Sequence, residues 1–103
     1  MSNKQFQFQI FLGRNIPNSK VTVTFEGFKT FLNTVVDPIF NCYTLSNSFG
    51  VWNGEFEETF IITIMTDDIT VKNEVEYISQ QYKEKYCQES VLYTVTEIEM
   101  NFV

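Results

Sequence analysis

A strict two-residue alternation opens the chain. In Gln5 to Leu12 (QFQFQIFL), Phe6, Phe8, Ile10 and Leu12 share one parity, and Gln5, Gln7 and Gln9 the other. That period predicts a strand with one buried face. Gly13 to Lys20 (GRNIPNSK) is dense in turn formers and predicts a loop. From Thr24 the period lengthens. Phe25, Phe28, Phe31, Leu32, Val35 and Val36 fall on one helical stripe, with Thr24 placed to cap it. Gly27 in the first turn weakens that helix by about 1 kcal/mol relative to Ala, and it stands where a glutamate would complete a capping box. Pro38 ends the helix near Val36 or Asp37.

Alternation returns between Tyr43 and Trp52, with Tyr43, Leu45, Phe49 and Val51 on one side and Thr44, Ser46 and Ser48 on the other. Asn53-Gly54 is a strong hairpin-turn pair. Phe56 to Met65 follows as a strand, with Phe60, Ile62 and Ile64 on one face and a partly apolar opposite face, which places it centrally in a sheet. Thr66-Asp67-Asp68 opens a second helix, whose Val71, Val75, Ile78, Tyr82 and Tyr86 repeat at helical spacing against Glu74, Glu76, Lys83 and Glu84. Ser90 to Val103 is extended. Val91, Tyr93 and Val95 share one parity, whereas Ile98, Met100 and Phe102 share the other, and this phase switch predicts a bulge or bend near Thr96 and Glu97.

The order strand, helix, strand, strand, helix, strand predicts an α+β, ferredoxin-like βαββαβ domain spanning residues 1–103. Both helices are expected on one face of a four-stranded antiparallel sheet. The other face, carrying Gln7, Gln9, Phe11, Ser46, Ser48, Ile61, Thr63 and Met65, stays open or meets a partner.

Composition narrows the chemistry. A chain of 103 residues with 11 Phe, 5 Tyr and 1 Trp can build one core and no second one. It has no His, so triads, metal sites and proton shuttles that rely on imidazole are excluded within it. Two cysteines, Cys42 and Cys87, cannot make a zinc site alone, and 4 scattered Gly make no phosphate-cradling loop. No cofactor and no metal are expected. Seven basic against 13 acidic residues give a net charge of −6, which repels nucleic acid. No apolar run reaches the roughly 20 residues of a membrane span. Met1 to Gln9 lacks a signal-peptide core, so a cytoplasmic protein with reduced thiols is expected.

Several landmarks together form a recognisable pattern: Leu12-Gly13, Val23-Thr24, Phe28 with Phe31, Val36-Asp37-Pro38-Ile39-Phe40, Tyr43-Thr44, Gly50-Val51-Trp52, Glu58, Tyr82 with Tyr86, and Gln88-Glu89-Ser90-Val91-Leu92. This pattern resembles an uncharacterised family of small bacterial proteins, the domain-of-unknown-function family three-five-seven-four, over nearly the whole chain. The departures are Phe28 in place of the family's usual Trp, Ile39 in place of its usual Arg, and a shorter Phe40-to-Tyr43 turn. The resemblance implies no activity. Many members look exported, which this N-terminus does not match.

Four groups of residues are candidate sites. Arg14, Glu58, Gln88, Glu89 and Trp52 could hold an acidic ligand, because a lone arginine pairs bidentately with carboxylates. The plainer reading is that they form ion pairs and caps joining strand ends. Ser90 as a nucleophile lacks both an imidazole base and a nucleophile elbow around it. Asp67-Asp68 and Glu55, Glu57 and Glu58 lack the spacing of a calcium loop. The uncharged outer sheet face, with Gln7, Gln9, Phe11, Ile61, Thr63 and Met65, suits a protein contact. The leading expectation is therefore a small, acidic, non-enzymatic module that associates through this face, as a homodimer or with another protein. The alternative is a small-molecule enzyme or binder with a pocket between sheet and helices, lined by Tyr43, Trp52, Tyr82 and Tyr93 and gated by Arg14.

Overall fold

Gln5–Gly13 forms β1, and its parity decides the architecture: Phe8, Ile10 and Leu12 are fully buried, while Gln7, Gln9 and Phe11 face outward. The computed structural model describes residues 4–103; Met1 to Asn3, part of the N-terminal stretch read for targeting, lie outside the described residues. The remaining elements are α1 (Phe25–Phe31), a π turn (Leu32–Val36), β2 (Thr44–Trp52), β3 (Glu55–Thr66), a 3-10 turn (Ile69–Val71), α2 (Lys72–Lys85) and β4 (Leu92–Ile98). The fold is α+β: a four-stranded antiparallel sheet with two helices, the strands lying in the order β2-β3-β1-β4.

Both helices bury their apolar stripes against the same sheet face. Phe28 and Phe31 of α1, with Val75, Ile78 and Tyr82 of α2, join Phe8, Ile10, Leu12, Phe60, Ile62 and Ile64 in one core. The Phe28 ring stacks on Phe60 with centroids 4.0 Å apart, and Tyr82 meets Phe31 edge-on at 5.3 Å. The space between sheet and helices is therefore filled by side chains. It is not the ligand pocket of the alternative reading, and Tyr82 is part of its filling.

Local sequence explains the helix ends. The Thr24 hydroxyl accepts from the Gly27 amide at 3.0 Å, and Asp68 accepts from the Thr70 amide at 2.9 Å. The α1 region does end before Pro38, but its last turn is a π turn closed by the Asp37 amide donating to the Leu32 carbonyl at 2.8 Å. The strand expected from Tyr43 begins at Thr44.

No bulge interrupts β4. Its pairing with β1 runs unbroken from Leu92 to Ile98, and the strand then stops. The apparent phase switch arises because Val91, Met100 and Phe102 lie outside the ladder. Beyond the strand, the Met100 amide donates to the Gln5 side chain at 2.7 Å.

Candidate functional site

At the end of β1 the chain splits its functional groups between the two sheet faces. Arg14 follows the inward parity of Leu12. Its Nε donates to the Val23 carbonyl at 2.9 Å, its Nη1 reaches Glu58 Oε2 at 2.5 Å, and its guanidinium lies 4.8 Å from the Phe60 ring centroid. The pair is partly covered, with side-chain exposures of 18% and 41%. Every one of these contacts ties the loop after β1 to β3 and to the start of α1. Arg14 and Glu58 thus hold the scaffold together on the helix side, at no pocket mouth.

The outer face is different. Glu57 neighbours Glu58 but points the opposite way, since successive strand residues alternate. Its carboxylate lies directly over Gly13. A Cβ on Gly13 would sit 2.5 Å from Glu57 Oε2, and that same oxygen accepts from the Asn15 amide at 3.0 Å. Glycine permits this close approach; a side chain here would push the Glu57 carboxylate aside. Behind it, the Tyr82 hydroxyl donates to the Gly13 carbonyl at 2.7 Å, fixing the backbone from the core side. Burial, then the neighbouring Tyr86, then the charge of Glu57 push the Tyr82 phenol well above its ordinary range.

Around Glu57 the outer face is concave. The groove measures about 760 Å³. Phe11, Glu57, Thr59 and Ile61 form its floor, and the loop from Asn15 to Thr22 makes one wall. Trp52 and Gly50 of β2 stand opposite, and Gln88, Glu89 and Ser90 close one end. The α2–β4 connector is held against the loop, because Gln88 Nε2 donates to the Asn15 carbonyl at 2.9 Å. Among the described residues, three carboxylates (Glu55, Glu57 and Glu89) and one cation, Lys20, line the space, so it favours a positive or neutral ligand over an anion.

The residues singled out from the sequence therefore divide. Trp52, Gln88 and Glu89 share the groove, whereas Arg14 and Glu58 lie on the opposite side of the sheet, so the five do not form one cluster. The outer-face positions also divide. Phe11 and Ile61 lie in the groove floor, while Gln7, Gln9, Thr63 and Met65 continue along the same face beyond it, where Gln9 donates to Thr63 at 3.3 Å. Glu57, which the sequence singles out only among carboxylates without calcium-loop spacing, and Gly13 carry the site's geometry. The signal was present: Glu58 shares Phe60's parity, so Glu57 had to face outward beside β1. Cys42 and Cys87 are both free and exposed. Among the described residues there is no group of three metal-ligating side chains, and no helix is long and apolar enough to cross a membrane.

The family described as "Protein of unknown function (DUF3574)" has a model that matches residues 7–102. The chain belongs to this family. No curated protein matches this DUF3574 chain. Among solved structures it is similar to a phage SAM lyase in complex with S-methyl-5′-thioadenosine, with a TM-score of 0.71 and 22% identity over 94% of this chain and 84% of that one. A phage SAM lyase in its apo state gives a TM-score of 0.64 at 21% identity, over 94% of this chain and 83% of that one. A DUF3240 family protein from Shewanella baltica OS155 gives 0.61 at 13% identity, covering 100% of this chain and 98% of that chain. At these identities the likeness is one of fold.

Proposed function

We propose that this DUF3574 protein binds a small molecule in the groove of its outer sheet face, and that the ligand is an adenine nucleoside bearing a sulfonium or thioether group. The observation that carries the reading is Glu57: a carboxylate fixed in position over a bare glycine, at the floor of an aromatic-rimmed concavity. Binding sites of this kind combine apolar lining with a few fixed polar groups. A carboxylate beside an aromatic ring suits a cationic centre, and a flat base stacks on an indole such as Trp52. Two further points support the reading. The strand order fits the ferredoxin-like topology expected from the sequence, and the phage SAM lyase that shares this fold holds S-methyl-5′-thioadenosine.

Calorimetric titration with SAM and with S-methyl-5′-thioadenosine tests this. The expected result is binding of both with micromolar dissociation constants. Glu57→Gln should weaken SAM, the sulfonium, by roughly tenfold while leaving the neutral thioether nearly unchanged, because one charge pair of about 1.4 kcal/mol is removed. Trp52→Ala should weaken both. Heats of dilution alone, for both compounds at millimolar concentration, would defeat the reading.

The associative reading competes for the same surface. It is supported by Met65 and Leu92, which stand about half exposed on the outer face at 52% and 53%. A partner lying flat on Gln7, Gln9, Phe11, Ile61, Thr63 and Met65 would cover the groove floor. Under that reading, nucleoside and self-association exclude each other, so adding SAM would lower the mass seen by light scattering.

A further inference from the structure

The nine residues of β2 are a sheet edge without protection. Their pairing with β3 is unbroken from Thr44–Thr63 to Trp52–Glu55, so β2 is straight and regular. Among the described residues it has no neighbour on its other side in the strand order. Half of its backbone amides and carbonyls therefore face outward in a row. Proteins commonly blunt such edges with lysine, proline, a bulge or a covering loop. Among the described residues this edge shows no lysine, proline or bulge: residues 38–54 contain no charged side chain, their one proline, Pro38, precedes the strand, and the ladder to β3 is unbroken. The opposite edge contrasts with it. β4 has seven residues, carries Glu97, and is flanked by Glu89 and Glu99.

The helix-side face of the same arm is also bare. The sheet runs past the helices there, leaving Phe49 64%, Val51 72%, Phe56 64% and Phe25 56% exposed. Phe49 and Phe56 stack on each other at 5.5 Å, and Phe25 extends the patch toward Phe60 at 6.3 Å. The molecule extends 51 × 29 × 25 Å, elongated for its size.

From these features we infer that β2 pairs edge to edge, antiparallel, with β2 of a second copy, forming a two-fold dimer with a continuous eight-stranded sheet. This goes beyond the ligand reading and stands whether or not that reading does. The choice of a second copy rests on three points. An antiparallel strand pair is self-complementary, so a two-fold axis satisfies both rows of backbone groups and closes the assembly. Two chains of charge −6 repel each other over most of their surfaces, whereas β2 itself carries no charge and the nearest carboxylates, Glu55, Glu57 and Glu58, stand one strand back on β3. Pairing about the strand midpoint also sets Phe49, 64% exposed here, diagonally across from its own counterpart, which adds an apolar contact to the backbone ladder. The groove floor lies on the other sheet face, with Ser48 to Trp52 of β2 as the rim nearest the contact.

Light scattering after size exclusion, on the full chain from about 1 to 200 μM, tests the inference. The expected result is a particle of twice 12.1 kDa. Asn47→Lys, near the middle of the edge, should raise the dissociation constant at least tenfold, and Thr94→Lys on β4 should not. Amide exchange on the unaltered chain is the second readout: alternate β2 amides that do not bond to β3 should become protected as concentration rises. A monomer throughout the range overturns the inference. So does a dimer that Thr94→Lys breaks and Asn47→Lys spares, or β2 amides whose exchange ignores concentration.

Discussion

Glu57 keeps its place because Gly13 lacks a side chain and the Asn15 amide donates to it. Gly13→Ala should push the carboxylate off that amide, lowering stability by ~1 kcal/mol in chemical denaturation. It should also weaken SAM binding about as much as Glu57→Gln does, with no change of charge. On the opposite face, Arg14→Met strips two hydrogen bonds from a half-covered site and leaves Glu58 alone. A loss of about 1–2 kcal/mol is expected, readable as a lower thermal midpoint, with the groove unaltered. The Arg14–Glu58 pair was legible in the sequence, since a charge set in an apolar strand must find a partner. Glu57 was hidden in plain view among Glu55, Glu57 and Glu58. A run of three such residues reads as a solvated patch until parity assigns each one a face.

The elements depend most on the aromatic stack between α1 and β3. Phe28→Ala removes a fully buried ring that stacks on Phe60 and should cost about 3–5 kcal/mol, a large share of a small domain's total stability. The strand parities and both helical stripes could be read from spacing, because burial on one face imposes a period. The π turn could not, because Leu32, Val35 and Val36 look the same on an ordinary helix. The difference lies in hydrogen bonding: Thr30 and Thr34 hydroxyls donate to the Glu26 and Thr30 carbonyls, at 3.2 and 2.8 Å, while the last amide reaches back five residues. The turn delivers Val36 to the core and sets up Tyr43, whose hydroxyl donates to Asp37 at 2.6 Å. Burial, then that hydrogen bond, then the Asp37 charge push the Tyr43 phenol up to about 12. Its folded value lies above its unfolded one, so the stabilisation is full below pH ~10 and falls away between ~10 and 12. Urea midpoints measured across that window should drop with pH, and the drop should be smaller in Tyr43→Phe.

At the scale of the molecule, one sheet serves two purposes with its two faces. The helix side is a closed core, and the outer side offers a groove of about 760 Å³ lined by three carboxylates and one lysine. The sequence placed Phe11 and Ile61 on that outer face but not the concavity. The hollow is made by a loop and a connector drawn together through Gln88 and Asn15, a contact between residues 73 positions apart. No local pattern reports such a meeting. The direct examination of the account is an isotope-edited amide spectrum of the protein recorded while SAM is added. Shifts that saturate and cluster at Gly13, Asn15, Glu57, Gln88 and the Trp52 indole are the predicted result. Saturating shifts centred on α1 or α2, or a spectrum unmoved at millimolar nucleoside, would contradict it.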